Sequence, residues 1–65
     1  MLDVEHAMLA ERFGALLEYQ RRAERVYTDL ASQLTEGSLR REVEQICREK
    51  QRHVALVQRL LEIVE

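Results

Sequence analysis

Apolar residues recur at alternating gaps of three and four along two long stretches, and both series turn polar at the same depth. The first series is Leu9, Phe13, Leu16, Ala23, Tyr27, Leu30 and Leu34, interrupted by Gln20. The second is Leu39, Val43, Ile46, Val57, Leu60 and Val64, interrupted by Lys50 and His53. This spacing lays one apolar stripe along one side of an α-helix. A chain so patterned is all-α, and the absence of proline leaves nothing to break either helix internally.

Thr35-Glu36-Gly37-Ser38 divides the two stretches. Gly37 suits the left-handed position that ends a helix, and Ser38 suits the cap that starts the next. Asp3 suits the cap of the first helix, with Glu5 at the positive end of its dipole. The expectation is one domain over residues 1–65, with a helix over about 3–34, a turn over 35–38 and a helix over about 39–64. So short a connection makes the helices antiparallel neighbours. Folding back near Gly37 sets Gln20 opposite His53, with Lys50 one turn away. Gly14, inside the first helix, is expected to point outward.

The stripe is wider than a two-helix contact needs. Leu17, Ala10, Ala31, Tyr19 and Val26 flank it on the first helix. Cys47, Val54, Leu61, Leu56 and Ile63 flank it on the second. A chain of 65 residues is short to stand alone, and its single cysteine excludes an internal disulfide. Metal or self-association remains. The simplest solution is two hairpins pairing about a two-fold axis into a four-helix bundle, as a homodimer or higher homo-oligomer.

A net charge of −2 without a basic block gives no case for nucleic acid. No apolar run approaches the roughly 20 residues of a membrane span. No signal peptide is read at the start, so a cytoplasmic location is expected, with encapsulation in a protein compartment as an alternative. Glycine-rich phosphate loops and Ser/His/Asp sets are absent, and no catalytic residue is assigned. Outward-facing pairs such as Glu18 with Arg22, Glu44 with Arg48 and Arg21 with Glu24 are read as a solvated face.

The segment from Leu17 to Ala31, with its Tyr-Gln-Arg-Arg-Ala-Glu-Arg-Val-Tyr core, resembles the first helix of a rubrerythrin-type ferritin-like half-domain. Glu49-Lys50-Gln51-Arg52-His53-Val54-Ala55-Leu56 resembles its partner helix. The resemblance runs from about Leu16 to Leu61 and is similar in outline to the short encapsulated ferritins, in which two hairpins rebuild a four-helix bundle. It implies a di-iron centre held by a first-helix glutamate seven residues before a tyrosine and by Glu-x-x-His on the second helix. Aligned on Tyr27 and His53, those glutamate positions fall on Gln20 and Lys50. Of the three ligand positions only His53 is kept. Gln20 is a poor iron ligand, and the Lys50 ammonium opposes a dication at short range. Lys50 is moreover the one lysine in a chain whose other basic residues are all arginine.

Two readings follow. In the first, no cofactor is bound. Lys50 replaces the metal, with Glu24 and Glu49 as its counter-charges and Gln20, His53 and the Tyr27 hydroxyl completing the hydrogen bonds of a polar core layer. The protein is then an oligomeric structural or protein-interaction module. In the second, Glu24, Glu49 and His53, doubled by a two-fold axis, bind iron, zinc or manganese, and any activity is of ferroxidase or peroxidase type. A third class is a helical adaptor whose stripe is covered by an unknown protein partner. His6 is read as an interfacial residue near the start of the seam, and Cys47 as an inert thiol among apolar neighbours.

Overall fold

The computed structural model describes residues 4–65. Helix α1 spans Val4–Gln33 and helix α2 spans Gly37–Val64. They lie antiparallel in a rod 53 × 13 × 11 Å in extent. The architecture is therefore an all-α hairpin. Asp3, assigned as the first cap, lies outside the described residues.

The connection differs from its sequence reading. No glycine has a positive φ, so Gly37 is not the left-handed terminator of α1; it is the first residue of α2. The chain leaves α1 through a tightened last turn, with the Leu34 amide donating to the Ala31 carbonyl at 3.3 Å. The cap of α2 is Glu36, not Ser38. Its backbone is extended, and its carboxylate accepts from the Leu39 amide at 2.7 Å and the Ser38 amide at 3.1 Å. The Ser38 hydroxyl donates to the same carboxylate at 2.8 Å. Glutamate is an uncommon cap because its side chain is long. Here the extra methylene reaches the same orphan amides that serine or aspartate would satisfy, and the hydroxyl steadies it.

These donors hold the Glu36 carboxyl below its ordinary pKa, the Leu39 amide contributing most. A carboxyl whose folded pKa is depressed contributes stability above its unfolded pKa, and that stability is lost as pH falls through the folded pKa. Acidification through and below the ordinary carboxylate range is therefore expected to lower the melting temperature through this cap. Glu36→Gln, melted beside wild type across that range, should start lower at neutral pH and show the shallower decline. Parallel curves would exclude the cap as the source.

The helices meet along a narrower strip than the full stripe. Leu17, Ala31, Val43, Cys47 and Val57 are buried. Ala31, Val43 and Cys47 form a cluster against which Tyr27 and Leu34 pack. With Ala31, Val43 and Cys47 in one cluster and Tyr27 and Leu34 packed on it, the antiparallel register puts Ala31 about level with Val43 and Tyr27 with Cys47. Continued toward the open end, it sets Glu24 across from Lys50, Gln20 across from Val54 and Leu17 across from Val57. In heptad terms Ala10, Leu17, Glu24 and Ala31 occupy a on α1, and Phe13, Gln20, Tyr27 and Leu34 occupy d. On α2, Cys47, Val54 and Leu61 are a, and Val43, Lys50, Val57 and Val64 are d.

That register corrects the seam read from the sequence. Leu17, Ala31 and Cys47, read as flanks, are core. Leu16, Leu30 and Leu39, read as seam, are exposed. The sequence seam combined d with g; the hairpin buries d with a. The physical reason lies in side-chain size toward the connection, where a carries Ala31 and Cys47 and g carries the larger Leu30 and Ile46. Gly14 is half-buried at the edge of the strip, and a Cβ placed on it would enter open space, in keeping with the outward direction expected of it.

Candidate functional site

The polar layer sits between two apolar halves of the hairpin. Toward the connection lies the Ala31–Val43–Cys47 cluster; toward the open end lie Leu17 and Val57. Between them Gln20, Glu24 and Lys50 are all half-buried. Three polar side chains thus occupy consecutive seam positions in the middle of a 53 Å rod. Residues at these positions exchange water for protein neighbours, so each needs a partner or leaves an unsatisfied group.

One such group is present. The Gln20 side-chain oxygen is buried and accepts no hydrogen bond. A buried amide oxygen without a donor costs about 1–3 kcal/mol. The register brings Glu24 and Lys50 to the same level, yet no ion pair joins them among the described residues. The hairpin alone therefore assembles a polar layer without closing it.

The remaining site candidates are placed differently from their sequence reading. His53 is exposed, at g of α2, so it does not share the seam with Gln20. It stands beside Ala23 on the outer apolar face, one turn from Lys50. Tyr27 packs on the cluster nearer the connection, and among the described residues no hydrogen bond joins its hydroxyl to Gln20, Lys50 or His53. Glu49 is exposed at c of α2. Glu24 faces the seam while Glu49 and His53 face outward, so one chain does not gather these three as a metal would require. Among the described residues, no group of three or more His, Cys, Asp or Glu side chains could hold a metal ion. Cys47 is a buried free thiol packed in the cluster with Ala31 and Val43. His6 is exposed near the start of α1.

The opposite edge of the hairpin is polar. Thr28, Glu44 and Gln51 at e line a shallow depression with Arg48. Glu44 pairs with Arg40 at 3.5 Å, not with Arg48, and Arg48 donates to the Gln45 side-chain oxygen at 2.8 Å. These are exposed contacts of small energetic weight. Among the described residues, no helix is long and apolar enough to cross a membrane.

No protein-family model, no curated protein and no solved structure matches this chain.

Proposed function

We propose that this protein is a ferritin-like helical hairpin without an intact di-iron ligand set, acting as an oligomeric structural module. The observation that carries the reading is the position of Lys50. It stands half-buried at mid-rod, in register with Glu24 and one turn from the level of Gln20, whose buried oxygen has no partner. Those are seam positions where the resemblance to rubrerythrin-type half-domains would put metal-binding carboxylates. An ammonium there supplies positive charge in place of an ion. Such a layer serves register and partner choice more than stability.

The second support is the amount of apolar surface left outside. Tyr19, Val26, Leu39, Leu56 and Ile63 are all about half or more exposed. Exposed apolar area on that scale marks an interaction surface. A cytoplasmic setting, free or within a protein compartment, goes with this reading.

The test is metal content and thermal response together. Purified protein is expected to carry no stoichiometric iron, zinc or manganese. Added metal at millimolar concentration should leave the melting temperature within about 1 °C, since only a ligand that prefers the folded state raises it. Stoichiometric metal that disappears in His53→Ala would defeat the structural reading and restore the Glu24, Glu49 and His53 site.

A further inference from the structure

Which side of the hairpin is uncovered follows from the register. In an antiparallel helix pair the g positions of both helices flank one edge of the seam and the e positions flank the other. Thr28, Glu44 and Gln51, lining one depression across both helices, are the e edge. The g edge carries Leu16, Ala23 and Leu30 from α1 and Ile46, His53 and Leu60 from α2. Position c widens it with Tyr19, Val26, Leu56 and Ile63, exposed by 63%, 62%, 49% and 71%. These residues form a largely apolar face, interrupted by His53 at mid-rod, above the polar layer, and bordered at c by Arg12, Glu42 and Glu49.

The size of that face matches a dimer interface. A strip 53 Å long and two helix diameters, about 20 Å, wide offers on the order of 1,000 Å². A standard interface takes about 800 Å² from each partner. The chain, whose hairpin fully buries no large side chain among the described residues, needs such cover.

The charges beside the face then select the arrangement. Near the connection stand Asp29 on α1 and Glu42 on α2, both acidic. Near the open end stand Arg12 and Arg59, both basic. At mid-rod stand Arg22, Glu49 and Arg52. A two-fold axis parallel to the helices would lay α1 on the partner's α2 at equal height. Asp29 would then come within a turn of Glu42 and Arg12 within a turn of Arg59, while Arg22 would lie level with Arg52 and within a turn of Glu49. A two-fold axis perpendicular to the helices lays α1 on α1 and α2 on α2, each reversed. Asp29 then meets Arg12, Glu42 meets Arg59, and Glu49 meets Arg52. Two charges run against this pattern: Arg22, which falls near its own copy at the axis, and Glu5 at the open tip, where water screens it most.

We infer that a second copy of this chain covers the Leu16–Val26–Ile46–Leu56 face in an isologous dimer with the two connections at opposite ends. The inference rests on the oligomeric reading above and adds the face, the partner and the polarity. Because the axis passes through mid-rod, the two polar layers meet there. Each unpartnered Gln20 oxygen then lies in the layer that also holds both Lys50 ammonium groups and both His53 imidazoles, which are the donors available at that depth.

Sedimentation equilibrium on the full chain, with helicity followed by circular dichroism, supplies the first test. Val26→Glu, exposed in the hairpin, should keep its helicity and weaken dimerisation about 100-fold, because the charge must be desolvated at the interface. Gln51→Glu on the e edge should change it less than threefold. Asp29→Arg should weaken the dimer about tenfold at low salt, with recovery in Asp29→Arg/Arg12→Asp. Spin labels on Ser38→Cys in a Cys47→Ala background should lie about 40 Å or more apart, from 1.5 Å per residue on either side of the axis. A dimer with labels within about 25 Å, tightened by Asp29→Arg, would overturn the arrangement and leave the oligomeric reading standing. So would a dimer broken by Gln51→Glu and untouched by Val26→Glu. A monomer at every concentration would overturn both.

Discussion

Leu17→Ala is expected to cost about 2–4 kcal/mol and to leave much of the population unfolded at room temperature. A chain of 65 residues has a total stability of about 3–10 kcal/mol. Leu17 and Val57 are the buried residues of the open half, exposed by 7% and 5%, whereas Ala31, Val43 and Cys47 all lie toward the connection. The polar layer separates the two groups, so the connection-side cluster does not close over a gap made at Leu17. The open ends of both helices should therefore fray first. In urea the midpoint should fall sharply, and amide exchange should accelerate from Val4 to about Gln20 before it does near Tyr27. Leu56→Ala supplies the contrast, because Leu56 is half-exposed in the hairpin and would act chiefly through the proposed dimer. Its loss should shrink as the protein is diluted to monomer, and the Leu17 loss should not. A Leu17→Ala midpoint equal to that of wild type would show that the hairpin register is wrong.

Replacing the polar layer as a unit should act in the opposite direction. Gln20→Leu with Lys50→Leu removes a buried oxygen that has no donor and a half-buried ammonium that no ion pair neutralises within the hairpin. Exchanging buried polar groups for apolar ones of similar volume is commonly neutral or stabilising by about 1–4 kcal/mol. For a domain of this size each kcal/mol moves the melting temperature by about 4–8 °C. The double variant should therefore melt well above wild type. It should also lose specificity, because a continuous leucine seam permits register slips and larger oligomers that a mid-rod charge forbids. Mixed trimers or tetramers in sedimentation, together with a raised melting temperature, are the expected pair of results. A lowered melting temperature would mean that Lys50 is well paired in the assembled protein and that the layer holds the fold together.

The single glycine-centred break and the gaps of three and four made the hairpin legible in the residues alone. The same pattern placed Gln20, Lys50 and Tyr27 on its inner side. It did not show which edge of the stripe the two helices use. Both candidate seams share the d residues, Phe13, Gln20, Tyr27 and Leu34 on α1, and differ only in taking a or g beside them. Apolar periodicity weighs Leu16 and Leu17 alike, so His53 was joined to Gln20 when it belongs to the outer face. The Glu36 cap was hidden for a related reason. Ser38 is the stronger capping residue by type, and only the extended backbone at Glu36 brings a longer side chain onto the Ser38 and Leu39 amides.

Composition and periodicity thus determined that this chain forms two long helices, that they fold back on each other and that a charged layer interrupts their midpoint. Each of those is a property of one-dimensional spacing, since a helix repeats every 3.6 residues whatever lies beside it. Only the tertiary structure decided that a and d close the hairpin while g and c stay open. That choice depends on how closely two backbones can approach over Ala31 and Cys47, a distance between elements that spacing along one helix does not contain.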